Sequence, residues 1–323
     1  MKRIAVLTSG GDAPGMNPAI RAVVRAGIAH GLEVFGIQRG YQGLIDGAVE
    51  PMTARSVSGI IHHGGTILRT ARCRDFMDEP GRARAAAQLR SLGIEGLVVI
   101  GGDGSYRGAH ALWKEHGVAC VGIPGTIDND IGGTQYTIGF DTALNTAVEA
   151  IDRLRDTAAS HDRIFFVEVM GRHSGYIAMY SGLAGGAEAV LAPENVTDIP
   201  ALVEDLREMT RRGKTSMIVV VAEGDDAGDA FAIAKQVTET SEFKDVRVSV
   251  LGHVQRGGTP TAFDRVLAAR MGVASVEALL EGAPGVMMVM VNNRIEQRPL
   301  EDAWNTRNLF DPDLFRVNRL LSV

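Results

Sequence analysis

The sequence is poor in cysteine: Cys73 and Cys120 are the only two in 323 residues. So few thiols exclude a disulfide framework, and their separation excludes a CxxC site, so a reduced, cytoplasmic setting is expected. Long apolar runs are also missing. None approaches the roughly 18 residues of a membrane-spanning helix. The amino-terminal MKRIAVLTSGG has neither the apolar stretch nor the small-residue cleavage site of an export signal, so neither export nor membrane insertion is predicted. Positive charge is in deficit, with 33 Lys and Arg against 39 Asp and Glu and a formal charge of −6. That balance speaks against a broad nucleic-acid footprint, yet it leaves room for a local basic pocket that takes an anionic metabolite.

What is present is an ordinary globular composition, 45% hydrophobic and 22% charged, long enough for one large α/β domain or two modest ones. Short apolar runs recur: IAVL at 4–7, VFGI at 34–37, LVVI at 97–100, VACVGI at 118–123, IFFVEV at 164–169, SMIVVV at 216–221, VSVL at 248–251 and VMMVMV at 286–291. Continuous runs of this kind predict strands covered on both faces and therefore mostly parallel pairing. Between them, helical spacing over 17–29, around Leu144–Leu154, over 201–212 and over 262–280 completes an alternating βα pattern. The tail RNLFDPDLFRVNRLLSV is expected to be a docked segment or a short helix.

Three loops carry the chemistry. TSGGDAPGMN at 8–17 follows the first strand, and its glycines allow phosphate oxygens to approach backbone amides near a helix start. It is neither a GxGxxG fingerprint nor a Walker A sequence, and a plain structural turn explains it equally well. GGDGSYRG at 101–108 adds an acid: Asp103 suits Mg²⁺, which takes hard oxygen ligands, although an Asp cap of a tight turn is the bland alternative. PGTIDND at 124–130 places Asp128, Asn129 and Asp130 together at a strand end. One carboxylate can accept a hydroxyl proton as the hydroxyl attacks phosphorus, while the other organises metal or base. A cap-and-turn role is the competing reading. Arginines in ILRTARCRD (Arg69, Arg72, Arg74), and Arg163, Arg172, Arg247 and Arg256 with His253, supply dispersed donors that suit a sugar phosphate better than DNA.

Taken in order, TSGGDAPGMN, TARC, GGDGS, PGTIDND, VEVMGRHSG and LGHVQRGGTPTAFDR closely resemble the bacterial ATP-dependent 6-phosphofructokinases, over almost the whole chain. The resemblance implies two similar three-layer α/β/α lobes with mostly parallel sheets and the active site in the cleft between them. An ATP-binding lobe would comprise 1–139 plus 252–303, and a fructose 6-phosphate lobe 140–251 plus 304–323. It implies transfer of the terminal phosphate of ATP to the 1-hydroxyl of fructose 6-phosphate, with Mg²⁺. Pyrophosphate-dependent relatives commonly carry Asp and Lys where this chain has Gly104 and Gly125, so the two glycines are expected to leave room for the larger donor. Pyrophosphate-dependent activity and, from a different class, a non-catalytic nucleotide sensor are the alternatives.

By the same resemblance Gly11, Tyr41, Arg72, Cys73, Asp103, Gly104, Ser105 and Gly108 line the ATP side, and Asp103 helps place magnesium. Asp128 is the general base, supported by Thr126 and Asp130, and Arg72, Arg172 and the Gly11 amide offset charge on the migrating phosphoryl group. Met170, Gly171, Arg172, Glu223, His253 and Arg256 take the sugar, and Arg163 and Arg247 reach it from a neighbouring subunit of a homotetramer. A nucleoside diphosphate activator (ADP or GDP) or inhibitory phosphoenolpyruvate is expected at Arg21, Arg25, Arg55, Arg155, Glu188, Arg212 and Lys214. There the chain departs from the family pattern: the arginine expected near position 54 is Ala54, with Arg55 one position on.

Overall fold

A computed structural model of the chain describes every residue except Arg307, Leu309 and Val323. Its strands, in chain order, are β1 Arg3–Thr8, β2 Glu33–Ile37, β3 Val49–Met52, β4 Gly96–Gly101, β5 Ala119–Thr126 and β6 Ile138–Gly139. They continue with β7 Ile164–Val169, β8 Ala189–Leu191, β9 Met217–Ala222, β10 Val246–Val250, β11 Val286–Val291 and β12 Arg294–Pro299. The helices are α1 Met16–Ala29, α2 Gly40–Asp46, α3 Glu79–Ser91, α4 Asp103–His116, α5 Phe140–Ala159 and α6 Tyr176–Ala184. After them come α7 Ile199–Arg211, α8 Ala230–Thr240, α9 Ala262–Leu280, α10 Asp302–Asn305 and α11 Asp313–Leu321. The chain divides into two units, Met1–Thr142 with Arg256–Asn308, and Ala143–Gln255 with Leu309–Val323.

In the first unit the sheet order is β12-β11-β5-β4-β1-β2-β3, with β6 beside β5. All its pairings are parallel except the two at the edges, β2 with β3 and β11 with β12. The apolar runs are buried on both faces, as their continuity requires. Ala5, Leu7, Leu97 and Val99 point to a core shared with Leu44, Leu89, Ala109 and Leu112 of α2, α3 and α4. On the other face α1 and α9 cross so closely that a Cβ on Gly272 would sit 2.5 Å from that of Ala22. Helices on both faces of a sheet make a three-layer α/β/α unit.

The second unit has the order β10-β7-β9-β8, all parallel. Phe166, Val219 and Val221 meet Leu202, Leu206, Ile233 and Val237 of α7 and α8 on one face, while α6 lies against the other, its Gly182 hard against Val190. Two side-chain caps mark this unit's helix starts: Asp198 accepts from the Ala201 N–H and Asp229 from the Ala232 N–H. In the carboxy-terminal tail, residues 313–321 form α11. The expectation for 307–323 also spans Arg307, Leu309 and Val323, which lie outside the described residues.

One buried acid of the first unit ties α9 to β6 and to the start of α5. Asp264, 0% exposed, accepts from the Gly139 N–H at 2.8 Å, the Thr142 N–H at 2.9 Å and Thr142 Oγ1 at 2.5 Å. Burial outweighs those hydrogen bonds and pushes its carboxyl up to about 6. A folded-state pKa above the unfolded one stabilises fully below about pH 4, and that contribution is lost as pH rises through about 6. At roughly 1.4 kcal/mol per unit, the wild-type stability advantage over Asp264→Asn shrinks by about 3 kcal/mol between about pH 3 and pH 7. Urea midpoints of the two proteins at both pH values check this; an advantage that grows with pH contradicts it.

Candidate active site

The first unit brings the glycine loops together through strand order. β1 has β2 on one side and β4 on the other, so the chain reverses direction across the sheet at the β1/β4 pair. Loops leaving the carboxyl ends of such a pair diverge and leave a crevice for a ligand. Thr8 is opposite Ile100 and Gly101 opposite Pro124, so the TSGGD, GGDGS and PGTIDND loops all leave the same edge of the sheet. They are in contact: the Ser9 N–H donates to Ile100 O at 2.9 Å, a Cβ on Gly101 would lie 2.5 Å from Ser9 O, and one on Gly125 3.6 Å from the Gly101 nitrogen.

The TARC loop joins them. Thr8 Oγ1 donates to Arg69 O at 2.8 Å, and Thr70 Oγ1 donates to Gly10 O at 2.7 Å, which leaves Arg72 exposed beside the first glycine loop. Cys73 is half-buried, and burial pushes its thiol up, which argues against a nucleophile. Tyr41 lies deeper than a residue that stacks on a ligand from solvent. Its ring is 5% exposed and stacks on Phe76 at 3.8 Å, and its hydroxyl donates to Ser105 O at 2.6 Å. Gly108 packs directly on that pair: a Cβ there would be 3.0 Å from Phe76 and 3.1 Å from Tyr41. Phe76 has no glycine or charge to mark it in the sequence, and only the fold makes it part of the site.

The two glycines expected to leave room for the donor differ. Around Gly104 a Cβ would meet nothing within 4 Å, which fits the expected space. Gly125 does not: its Cβ would press on Ile100 at 3.0 Å and Met16 at 3.2 Å. Close packing of β5 on its neighbours, not open room, is the reason for glycine there.

Within PGTIDND the residue between the two acids is a staple. Asn129 adopts φ 51°, accepts from the Thr137 N–H at 2.8 Å and donates to Gln135 O at 3.1 Å. It therefore fixes the loop rather than offering itself to a ligand. Thr126 Oγ1 accepts from the Asp128 N–H at 3.2 Å, so Asp128, 3% exposed, is held at a defined place, with Asp130 half-buried beside it. Arg256, expected among sugar contacts, lies against the first glycine loop: its Nη1 donates to Asp12 O at 3.2 Å, and a Cβ on Gly11 would sit 2.5 Å from that nitrogen. The bare Gly11 is what lets the guanidinium approach.

Asp103 stands at the start of α4, with its side chain 47% exposed and its Oδ2 3.7 Å from Arg107 Nε. Among the described residues no group of three or more His, Cys, Asp or Glu side chains could hold a metal by itself. One exposed carboxylate beside open space fits magnesium, which keeps several waters and takes further oxygens from substrate phosphates.

In the second unit, the adjacent carboxyl ends of β7 and β9 bring Met170, Gly171, Arg172 and Glu223 together. The Arg172 N–H donates to Glu223 Oε2 at 3.3 Å, and the Glu223 N–H to Val169 O at 2.9 Å. Gly224 has no alternative here, because a Cβ would collide with the Arg172 carbonyl. Arg163 and Arg247 are elsewhere. They share Asp245, at 3.1 Å and 2.8 Å, at the amino ends of β7 and β10. His253 is exposed on the turn that follows β10.

Of the expected effector residues, the fold groups Arg155, Glu188 and Lys214. Glu188, its side chain 2% exposed, holds Lys214 at 3.0 Å and Arg155 at 3.4 Å and accepts from the Ile218 N–H at 2.6 Å. Arg212, paired with Glu208, lines with Glu188 a cavity of about 590 Å³ flanked by α7 and α11. Arg21, Arg25 and Arg55 belong to the first unit, Arg21 half-buried and the other two exposed.

Comparison with known proteins gives the family. The Phosphofructokinase family model matches residues 3–279. The chain belongs to the phosphofructokinase family. It is 57% identical to ATP-dependent 6-phosphofructokinase 1 of Thermus thermophilus and 53% identical to the ATP-dependent 6-phosphofructokinase of Bacillus subtilis, each over the full length of both chains. Phosphofructokinase from Saccharomyces cerevisiae superposes with a TM-score of 0.88 at 39% identity, covering 94% of this chain and 45% of that one. A pyrophosphate-dependent phosphofructokinase from Marinobacter aquaeolei shares the fold, with a TM-score of 0.86 at 21% identity over 100% of this chain and 92% of that one. Among the described residues no helix is long and apolar enough to cross a membrane.

Proposed function

We propose that this phosphofructokinase transfers the terminal phosphoryl group of ATP to the 1-hydroxyl of fructose 6-phosphate in glycolysis, giving fructose 1,6-bisphosphate and ADP. The observation that carries it is the convergence of the TSGGD, GGDGS and PGTIDND loops at the carboxyl ends of β1, β4 and β5, with open space at Gly104. The sugar oxygen attacks the terminal phosphorus, its proton passes to Asp128, and the bond to the ADP oxygen breaks. Asp103 would hold Mg²⁺, which when bound screens the phosphate oxygens. Asp130 and Thr126 keep the base loop in place, and Arg72, Arg172 and the Gly11 amide offset the spreading charge. Donors that tighten as the phosphoryl group moves lower the barrier, whereas uniform binding does not.

The first unit is the nucleotide-binding part in this reading, and the second supplies Met170, Gly171, Arg172 and Glu223 to the sugar. Strand geometry supports sharing of sites in a homotetramer. Arg163 and Arg247 start their strands and Arg172 and Glu223 follow strand ends, so six residues at about 3.3 Å each put roughly 20 Å between the sets. One sugar phosphate cannot be gripped by both sets of a single chain. In this reading the cluster of Arg155, Glu188, Lys214 and Arg212 is one side of an anion site for ADP, GDP or phosphoenolpyruvate between subunits, and Arg21, Arg25 and Arg55 come to it from a neighbouring subunit.

The donor is tested by turnover with fructose 6-phosphate and magnesium, with either ATP or pyrophosphate as sole phosphoryl source. ATP is expected to support turnover at least 100-fold faster, about 3 kcal/mol in the barrier. Efficient turnover with pyrophosphate but not ATP reverses the assignment.

A further inference from the structure

The outer face of α4 carries a feature that the phosphoryl-transfer reading leaves unused. Arg107 is one helical turn after Asp103, and its Nε is 3.7 Å from Asp103 Oδ2. The same guanidinium lies over the Trp304 ring, 4.7 Å from the centroid. Trp304 is itself fixed from the next turn of α4. His110 meets its ring edge-on at 5.7 Å and Trp113 at 5.8 Å, and His110 Nε2 is 2.8 Å from Glu301 Oε1 at the start of α10. An aromatic platform thus holds a cation beside the one carboxylate assigned to magnesium. The sites Gly104 and Gly108 are likewise one turn apart, on the adjoining face of the helix.

We infer that Arg107 is a positioning residue that competes with the divalent cation for Asp103, using Trp304 as its second resting place, so that metal–nucleotide binding is registered at the Trp304 ring. The inference rests on the assignment of Asp103 to magnesium. The physical argument is local. A carboxylate bound to magnesium gives up its arginine, and the released guanidinium retains the ring face, which attracts cations without a formal charge. An exposed ion pair one turn apart on a helix is weak, so the competition amounts to about twofold in apparent metal affinity. Arginine stacks on the ring through its plane. Lysine keeps the charge but not the plane, so the two functions of the residue are separable.

The experiment is a magnesium titration at fixed, saturating ADP, followed by tryptophan emission, in the wild type and in Arg107→Gln, Arg107→Lys, Trp304→Phe and Asp103→Asn. The wild type is expected to show a saturable change that Trp304→Phe abolishes. Arg107→Gln should half-saturate at about twofold lower magnesium, read by calorimetry, and lose the emission change. Arg107→Lys should keep the wild-type magnesium dependence while losing most of the emission change. If both Arg107 variants titrate and emit as the wild type does, and Asp103→Asn loses its magnesium dependence, the Arg107 inference is wrong and the Asp103 assignment stands. If Asp103→Asn binds magnesium and ADP like the wild type, the assignment beneath it has failed as well.

Discussion

Asp128→Asn is expected to lower the turnover number by about 10³- to 10⁴-fold, the upper part of the range for loss of a positioned general base. The substitution keeps the size and shape of the side chain and removes its basicity. The loop should survive it, because the anchoring hydrogen bonds come from its neighbours. Asn129 holds Thr137 and Gln135, Thr137 Oγ1 donates to Thr126 O at 2.7 Å, and Thr126 Oγ1 receives the Asp128 N–H. Nucleotide affinity and melting temperature should therefore stay near wild type while turnover collapses, a loss of roughly 4–5 kcal/mol confined to the transition state. Turnover within tenfold of wild type at saturating substrates removes Asp128 from the base role.

Arg172→Ala is expected to reduce turnover by about 10²- to 10³-fold, as for removal of one preorganised donor from a developing negative charge. Its backbone sits at φ 53°, in the left-handed region, and is held there by Glu223 and by the closeness of Gly224. A non-glycine residue in that conformation costs about 1–3 kcal/mol and persists only where the surroundings enforce it. Enforcement of this kind fixes where an exposed guanidinium starts from. Lysine at 172 should recover only part of the activity, since it keeps the charge and loses the planar fork. A drop of less than threefold with alanine would show that the charge is met elsewhere.

The interior of the fold was legible and its margins were not. The strands β1, β2, β4, β7 and β11 coincide with apolar runs because both their faces are covered. The edge strand β3 contains Pro51 and Glu50, and β12 reads RIEQRP, with both strands antiparallel and largely exposed. Edge strands carry charge and proline because an apolar edge would recruit other chains, and this removes the signal by which a strand is recognised. The very short β6 and β8 fall below any periodicity. In α6, YIAMYSGLA is apolar all round, so no stripe marks it as a helix.

The site divides along similar lines. Loop chemistry is local: glycines before a helix, an acid at its start, a proline-led strand end with carboxylates. Those features were evident in TSGGD, GGDGS and PGTIDND. Side-chain partnerships were not. Asp245 bridging Arg163 and Arg247, Phe76 under Tyr41, and the Arg256 guanidinium on bare Gly11 depend on residues that meet only after the chain has turned back. The reason for glycine at 125 belongs here too, since the contacts that forbid a side chain come from Ile100 and Met16.

By itself the sequence determined which apolar runs become covered strands, which striped segments become helices and which chemistry each loop offers, because these follow from the order of neighbouring residues. Which of these loops are neighbours was decided by the placement of β4 on the far side of β1 from β2, a matter of sheet order. The meeting of Arg163 with Asp245, which Arg247 shares, was likewise a tertiary outcome. Periodicity reports on the faces of an element; it carries no information about which other element lies beside it, and function in this chain depends on that adjacency.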